Sequence, residues 1–187
     1  ISPAQFPEPG LYLIFTNGDR LDLTRRQIEQ VTNQYLADAH QIPPSVKAAA
    51  DYALCTICPE RNHAQICHAI MPILPFVQQF ERYLSFDMVT AVYREDEQPL
   101  LAVAEIPLQQ ALQFVTILSL TQYCDTGRAY ARYFQGVNPL MPSERIAEEV
   151  FNNMYVHYRG DLAAVRAEVS RMQEQIRHTS ACQVKRL

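Results

Sequence analysis

Three of the chain's five cysteines lie within thirteen positions, and their spacing is typical of a metal site. Cys55 and Cys58 form a C-x-x-C pair, which lets one tight turn present two thiolates to one ion. Cys67 follows nine positions later, and Cys124 is the other cysteine inside the compact part of the chain. Four thiolates can hold zinc tetrahedrally, so the sequence predicts a zinc site formed by Cys55, Cys58, Cys67 and Cys124.

Two histidines near the cysteines are rival ligands. His63 lies in the loop between Cys58 and Cys67, and His68 directly follows Cys67. Adjacent side chains on a helix diverge by about 100°, so Cys67 and His68 seldom serve one small ion together. We therefore expect sulfur ligands, and Cys182, close to the end of the sequence, is given no role.

Other uses of the same cysteines stay open beside zinc. An iron–sulfur cluster also takes four cysteines, and unconnected cysteines are often simply buried. A thioredoxin-type redox pair expects a βαβ unit, which the pattern lacks. A c-type haem needs C-x-x-C-H, and Pro59 occupies the histidine position.

A site closed by four thiolates leaves no coordination position for water, so its zinc stabilises the fold. The sequence thus predicts a metal-binding protein without catalysis, acting as an interaction or regulatory module. The alternative is an iron–sulfur redox protein, or an enzyme in which zinc keeps three cysteine ligands and has an open coordination position in place of Cys124.

Local signals predict an α+β fold that positions these cysteines. Apolar runs in residues 11–23 flank Asn17-Gly18, which predicts a β-hairpin with a type I′ turn. Thr24 is placed to cap a helix reaching about Ala39. Residues 87–95 and 100–106 predict a second hairpin, and residues 108–123 a helix that ends near Cys124. We expect a small antiparallel sheet from two hairpins, packed on helices.

We expect three parts along the chain: an irregular arm over residues 1–10, an α+β metal-binding domain over residues 11–139, and a helical pair over residues 140–187. Ser143 should cap the first helix of the pair, and Asp161 the second, after Gly160.

The last helix carries a narrow apolar seam with spacings of 3, 4, 3 and 4. The seam is formed by Leu162, Val165, Val169, Met172 and Ile176. It can pack on its own domain or on the preceding helix. Alternatively, it mediates self-association or binds a protein partner.

The order of short motifs resembles an uncharacterised bacterial domain family with a CxxCP…C run, an SYE-like segment, a Gln-containing helix and an SL…C ending. The matching positions are Cys55, Cys58, Pro59, Cys67, Ser85, Asp87, Gln109 or Gln110, Ser119, Leu120 and Cys124. Asp125 departs from the family, which has proline there, and the expected histidine segment is replaced by ARYF. The resemblance implies a shared four-cysteine site and supplies no activity.

Composition and charge limit the classes of partner that we expect for this chain. Net charge is −4 and the sixteen basic residues are scattered, which argues against nucleic-acid binding. No apolar run approaches the roughly 20 residues that cross a bilayer, so no membrane association is expected. The first residues lack the basic and apolar regions of a secretory signal. With an odd number of cysteines and a core of ordinary size, we expect a cytoplasmic protein.

Overall fold

The computed structural model describes residues 2–37, 57–59, 62, 67–77, 83–95 and 101–184, and the side chains of most of them. Within these ranges the fold is α+β, as predicted. Its four strands are β1 (Gly10–Phe15), β2 (Arg20–Thr24), β3 (Met88–Arg94) and β4 (Leu101–Pro107). Its five α-helices are α1 (Arg25–Ala37), α2 (Leu74–Val77), α3 (Leu108–Leu118), α4 (Ser143–His157) and α5 (Leu162–Val184).

The two predicted hairpins form one antiparallel sheet in the order β2-β1-β3-β4. Strands β1 and β3 join the hairpins, from Gly10 opposite Arg94 to Phe15 opposite Val89. One sheet face is buried and includes Leu11 and Leu13 of β1. On the other face, Phe6 of the N-terminal arm packs with Tyr12 and Val92.

The first hairpin is confirmed, but its turn is not type I′. Gly18 has a φ of 88° while Asn17 keeps a negative φ. The Gly18 N–H donates to the Phe15 carbonyl at 2.9 Å, and the Phe15 N–H donates to the Asp19 carbonyl at 2.9 Å. The loop therefore has three residues, a type I turn followed by a left-handed glycine, since only that third position needs a positive φ.

Two of the three predicted helix caps are confirmed. The Thr24 hydroxyl accepts the Gln27 N–H at 3.2 Å, which confirms the cap of α1. Asp161 Oδ1 accepts the N–H groups of Ala163 and Ala164 at 2.9 and 3.1 Å, which confirms the cap of α5. Ser143 is the first residue of α4 instead of its cap, because Pro142 takes the cap position.

The helix predicted over residues 108–123 changes geometry before its end. After α3, the segment Ser119–Tyr123 forms a π-helical turn. The Cys124 N–H donates to the Ser119 carbonyl at 2.9 Å, a bond spanning five residues. Such turns often occur at functional sites.

The chain divides into two compact units. The sheet unit contains the strands, α1, α2 and α3 up to Thr116. The helical unit contains the π turn, a 3-10 segment (Gly127–Phe134), α4 and α5, and its core includes Tyr130, Tyr133, Met154 and Val165. The predicted boundary at residue 140 stays a prediction.

None of the helices in the described ranges is long and apolar enough to cross a membrane.

Candidate functional site

Cys124 is held by the turn that follows it. The thiol is buried, and its sulfur accepts the Gly127 N–H at 3.4 Å. Gly127 approaches the carbonyl of Leu120 so closely that a Cβ at this position would overlap the oxygen. The π turn and this close approach together fix the position of Cys124.

The surroundings of Cys124 keep its thiol protonated. Burial raises the pKa of the thiol, and the N–H groups of Gly127 and Thr126 offset part of that rise. Electrostatic interactions with Cys58 and Asp125 raise the pKa of the Cys124 thiol slightly further. A raised pKa is typical of a structural cysteine, since a nucleophilic cysteine has a lowered one.

A small apolar cluster surrounds the thiol. Ala69 and Leu120 are buried with Cys124, and Cys67 packs against them from a partly buried position. Ala69 belongs to a 3-10 turn, His68–Ile70, and its carbonyl accepts a hydrogen bond from the Ser119 hydroxyl. The π turn and the 3-10 turn are thereby joined around Cys124.

Asp125 contacts two basic side chains beside this cluster. One of its oxygens lies 3.2 Å from His68 Nδ1, and the other lies 3.8 Å from Arg128 Nη2. The sequence offered one signal for this pair: each residue directly follows a predicted ligand, Cys67 or Cys124.

No observation tests the predicted set of Cys55, Cys58, Cys67 and Cys124 as a whole, because Cys55 lies outside the described residues. Cys58 and Cys124 are free thiols. No group of three or more His, Cys, Asp or Glu side chains among the described residues could hold a metal ion. This absence contradicts the predicted function, which was structural metal binding or its iron–sulfur and zinc-enzyme alternatives.

Packing explains part of this outcome. Cys124 directs its sulfur to the backbone of its own turn and lies in an apolar cluster. Cys55, His63 and the side chain of Cys182 lie outside the described residues. No observation tests the choice between zinc and an iron–sulfur cluster, which stays a prediction.

Most of the predicted seam packs inside the helical unit. Val165 is buried in the core, and Val169 and Met172 pack against it. Ile176 packs on the Cys124 cluster. Leu162 is the exception, with 50% of its surface exposed. The alternative that the helix packs on its own domain therefore describes four of the five residues.

Four exposed apolar side chains at the end of α4 and the start of α5 are here called the corner surface. It is formed by Phe151, Tyr155, Val156 and Leu162, which are 45%, 43%, 75% and 50% exposed. The rings of Phe151 and Tyr155 stack with centroids 6.3 Å apart and planes at 19°. The Tyr155 ring also packs beside Gly160, whose φ is 84°, so the turn supports the ring.

The sequence reasoning missed the corner surface. Its signal was the four-residue spacing of Phe151 and Tyr155, which places both rings on one face of a helix. Apolar spacing on a helix was interpreted as burial.

Comparison with protein-family models, with curated proteins and with solved structures yields no match to this chain. The resemblance to the four-cysteine family therefore rests on the short motifs alone.

Proposed function

We propose that the chain is a protein-interaction module that associates with a second copy of itself through the corner surface. The stacked, half-exposed pair Phe151 and Tyr155 carries the proposal. Exposed aromatic side chains on a rigid element are typical anchors of protein interfaces. The seam was the predicted contact, and Leu162 is the seam residue that contributes to this surface.

The charges along α4 favour a second copy as the partner. Glu144 shares a face with Phe151 and Tyr155, since these positions are spaced 7 and 4. Arg159 follows the other end of the helix and is exposed. Two copies of α4 packed antiparallel about a two-fold axis place the acidic start of each beside the basic end of the other.

Antiparallel packing also opposes the helix dipoles, while parallel packing would bring like charges together. Four half-exposed side chains on each copy cover less than the roughly 800 Å² per partner of a standard interface. The dimer should accordingly be weak, with a dissociation constant of roughly 10–100 µM.

A charge placed in the aromatic pair tests the contact. Phe151→Asp should abolish the dimer in size-exclusion chromatography with light scattering at about 200 µM. Phe86→Asp is the matched control, because Phe86 is 70% exposed and belongs to the sheet unit. It should leave the dimer intact. Equal dimer fractions in both variants would overturn the proposal.

A reducing compartment suits this chain, and a cytoplasmic location is part of the proposal. Cys58 and Cys124 are free thiols, which persist where glutathione and thioredoxin keep cysteines reduced.

A further inference from the structure

We propose that a cavity beside the N-terminal arm binds a small neutral polyhydroxy compound, of mono- or disaccharide size. This arm cavity lies in the sheet unit and has a volume of about 460 Å³. Side chains of the arm, of β1 and β2, and of the first two turns of α1 line it. Its volume falls within the range of about 300–1,000 Å³ typical of ligand pockets.

The arm forms a fixed wall of the cavity. Phe6 is buried, and its carbonyl accepts a hydrogen bond from Arg94 Nη1 at 2.7 Å. Arg20 donates to the Gln5 carbonyl at 3.1 Å, and its guanidinium lies 4.8 Å from the centre of the Phe6 ring. The cavity therefore exists before a ligand binds, which lowers the entropic cost of binding.

The charged groups that line the cavity neutralise one another. Arg20 donates to both oxygens of Asp22 at 2.5 and 2.9 Å. Arg26 donates to Glu8 at 3.1 Å. A charged ligand would have to compete with a partner already bound in each pair. These pairs consequently favour a ligand without net charge.

Two neutral amide side chains in the lining both donate and accept hydrogen bonds. The Gln27 and Gln30 side chains carry amides, and each amide offers two donors and one acceptor oxygen. Sugar hydroxyls likewise donate and accept, so one molecule can bond to several of these groups together. An apolar ligand would remove water from the same groups without replacing its hydrogen bonds.

Titration of the full chain with neutral and charged probes tests the proposal. Backbone amide NMR signals of Thr24, Gln27 and Gln30 should shift saturably with at least one of D-glucose, N-acetyl-D-glucosamine and maltose. Sodium phosphate and choline chloride should not produce these shifts. No saturable shift with any of the three sugars would overturn the proposal, as would equal or larger shifts with either charged probe.

A variant pair on α1 locates the binding. Gln30→Ala should weaken binding of the active sugar about 5-fold, as expected for one lost hydrogen bond. Gln34→Ala is the matched control, since Gln34 is also exposed on α1 but does not line the cavity. It should bind like the wild type. Equal affinities of the two variants would place the sugar elsewhere and contradict the proposal.

Discussion

At the scale of single residues, a buried carboxylate is the most demanding feature of the helical unit. Glu168 is 5% exposed, and one of its oxygens accepts the Tyr133 hydroxyl at 3.0 Å. Its other oxygen lies 3.0 Å from Arg171 Nη2. A buried charge is tolerated when such partners replace water, so Tyr133 and Arg171 make α5 compatible with the core.

Removing the Tyr133 hydroxyl tests how much the burial of Glu168 depends on this hydrogen bond. Tyr133→Phe leaves one buried oxygen of Glu168 without its donor, which should lower the free energy of unfolding by about 1–3 kcal/mol. Tyr155→Phe is the control, because the Tyr155 side chain is exposed, and it should change stability by less than about 0.5 kcal/mol. Urea denaturation measures both. Equal stability of the two variants would show that the Glu168 contact contributes little.

At the scale of elements, local signals in the sequence predicted most of the fold. Asn17-Gly18 fixed the first hairpin, while Thr24 and Asp161 fixed the starts of two helices, because these signals act within four residues. The type I′ assignment was wrong because loop length, set by strand register, decides the turn type.

The predicted site depends on a different kind of information. A four-cysteine site needs residues far apart in sequence to converge, and C-x-x-C spacing alone carries no information about that convergence. The seam showed which face of α5 is apolar, but not which element would cover it. The π turn before Cys124 had no sequence signal that we can identify.

The close approach of Gly127 to Leu120 is a testable property of the Cys124 turn. Gly127→Ala places a methyl group against a backbone oxygen, so it should lower the free energy of unfolding by more than about 2 kcal/mol. Gly18→Ala meets open space and should lose only about 1 kcal/mol for its positive φ. Thermal denaturation compares them. A smaller loss at Gly127 than at Gly18 would contradict the described turn.

The packing of α5 makes a prediction about Val169. Val169→Asp brings a carboxylate against the core of the helical unit, so it should lower the free energy of unfolding by about 2–4 kcal/mol. Ala167→Asp is the control on the exposed face of the same helix and should lose less than about 1 kcal/mol, its helix-propensity difference. Chemical denaturation distinguishes them, and comparable losses would indicate that Val169 does not pack on the core.

At the scale of the whole molecule, buried tyrosines connect stability to alkaline pH. Burial raises the pKa of Tyr12, Tyr130 and Tyr133 above the usual value of about 10. The unfolded chain therefore releases these protons at lower pH than the folded chain does. Their contribution to stability is complete below about pH 10 and is lost as the pH rises beyond it.

Urea denaturation at several pH values measures this effect. The wild type should lose stability steeply above about pH 10. Tyr133→Phe, already less stable at neutral pH, should lose less on the same change of pH because one buried phenol is gone. The same pH dependence in both proteins would exclude Tyr133 as a contributor.

Self-association through the corner surface is the central claim, and sedimentation equilibrium of the wild-type chain tests it most directly. Between about 5 and 300 µM, the average mass should rise from 21.4 kDa for one chain toward twice that value and stop there, since a two-fold contact closes on itself. A mass that stays at 21.4 kDa throughout, or one that climbs past the dimer, would contradict the claim.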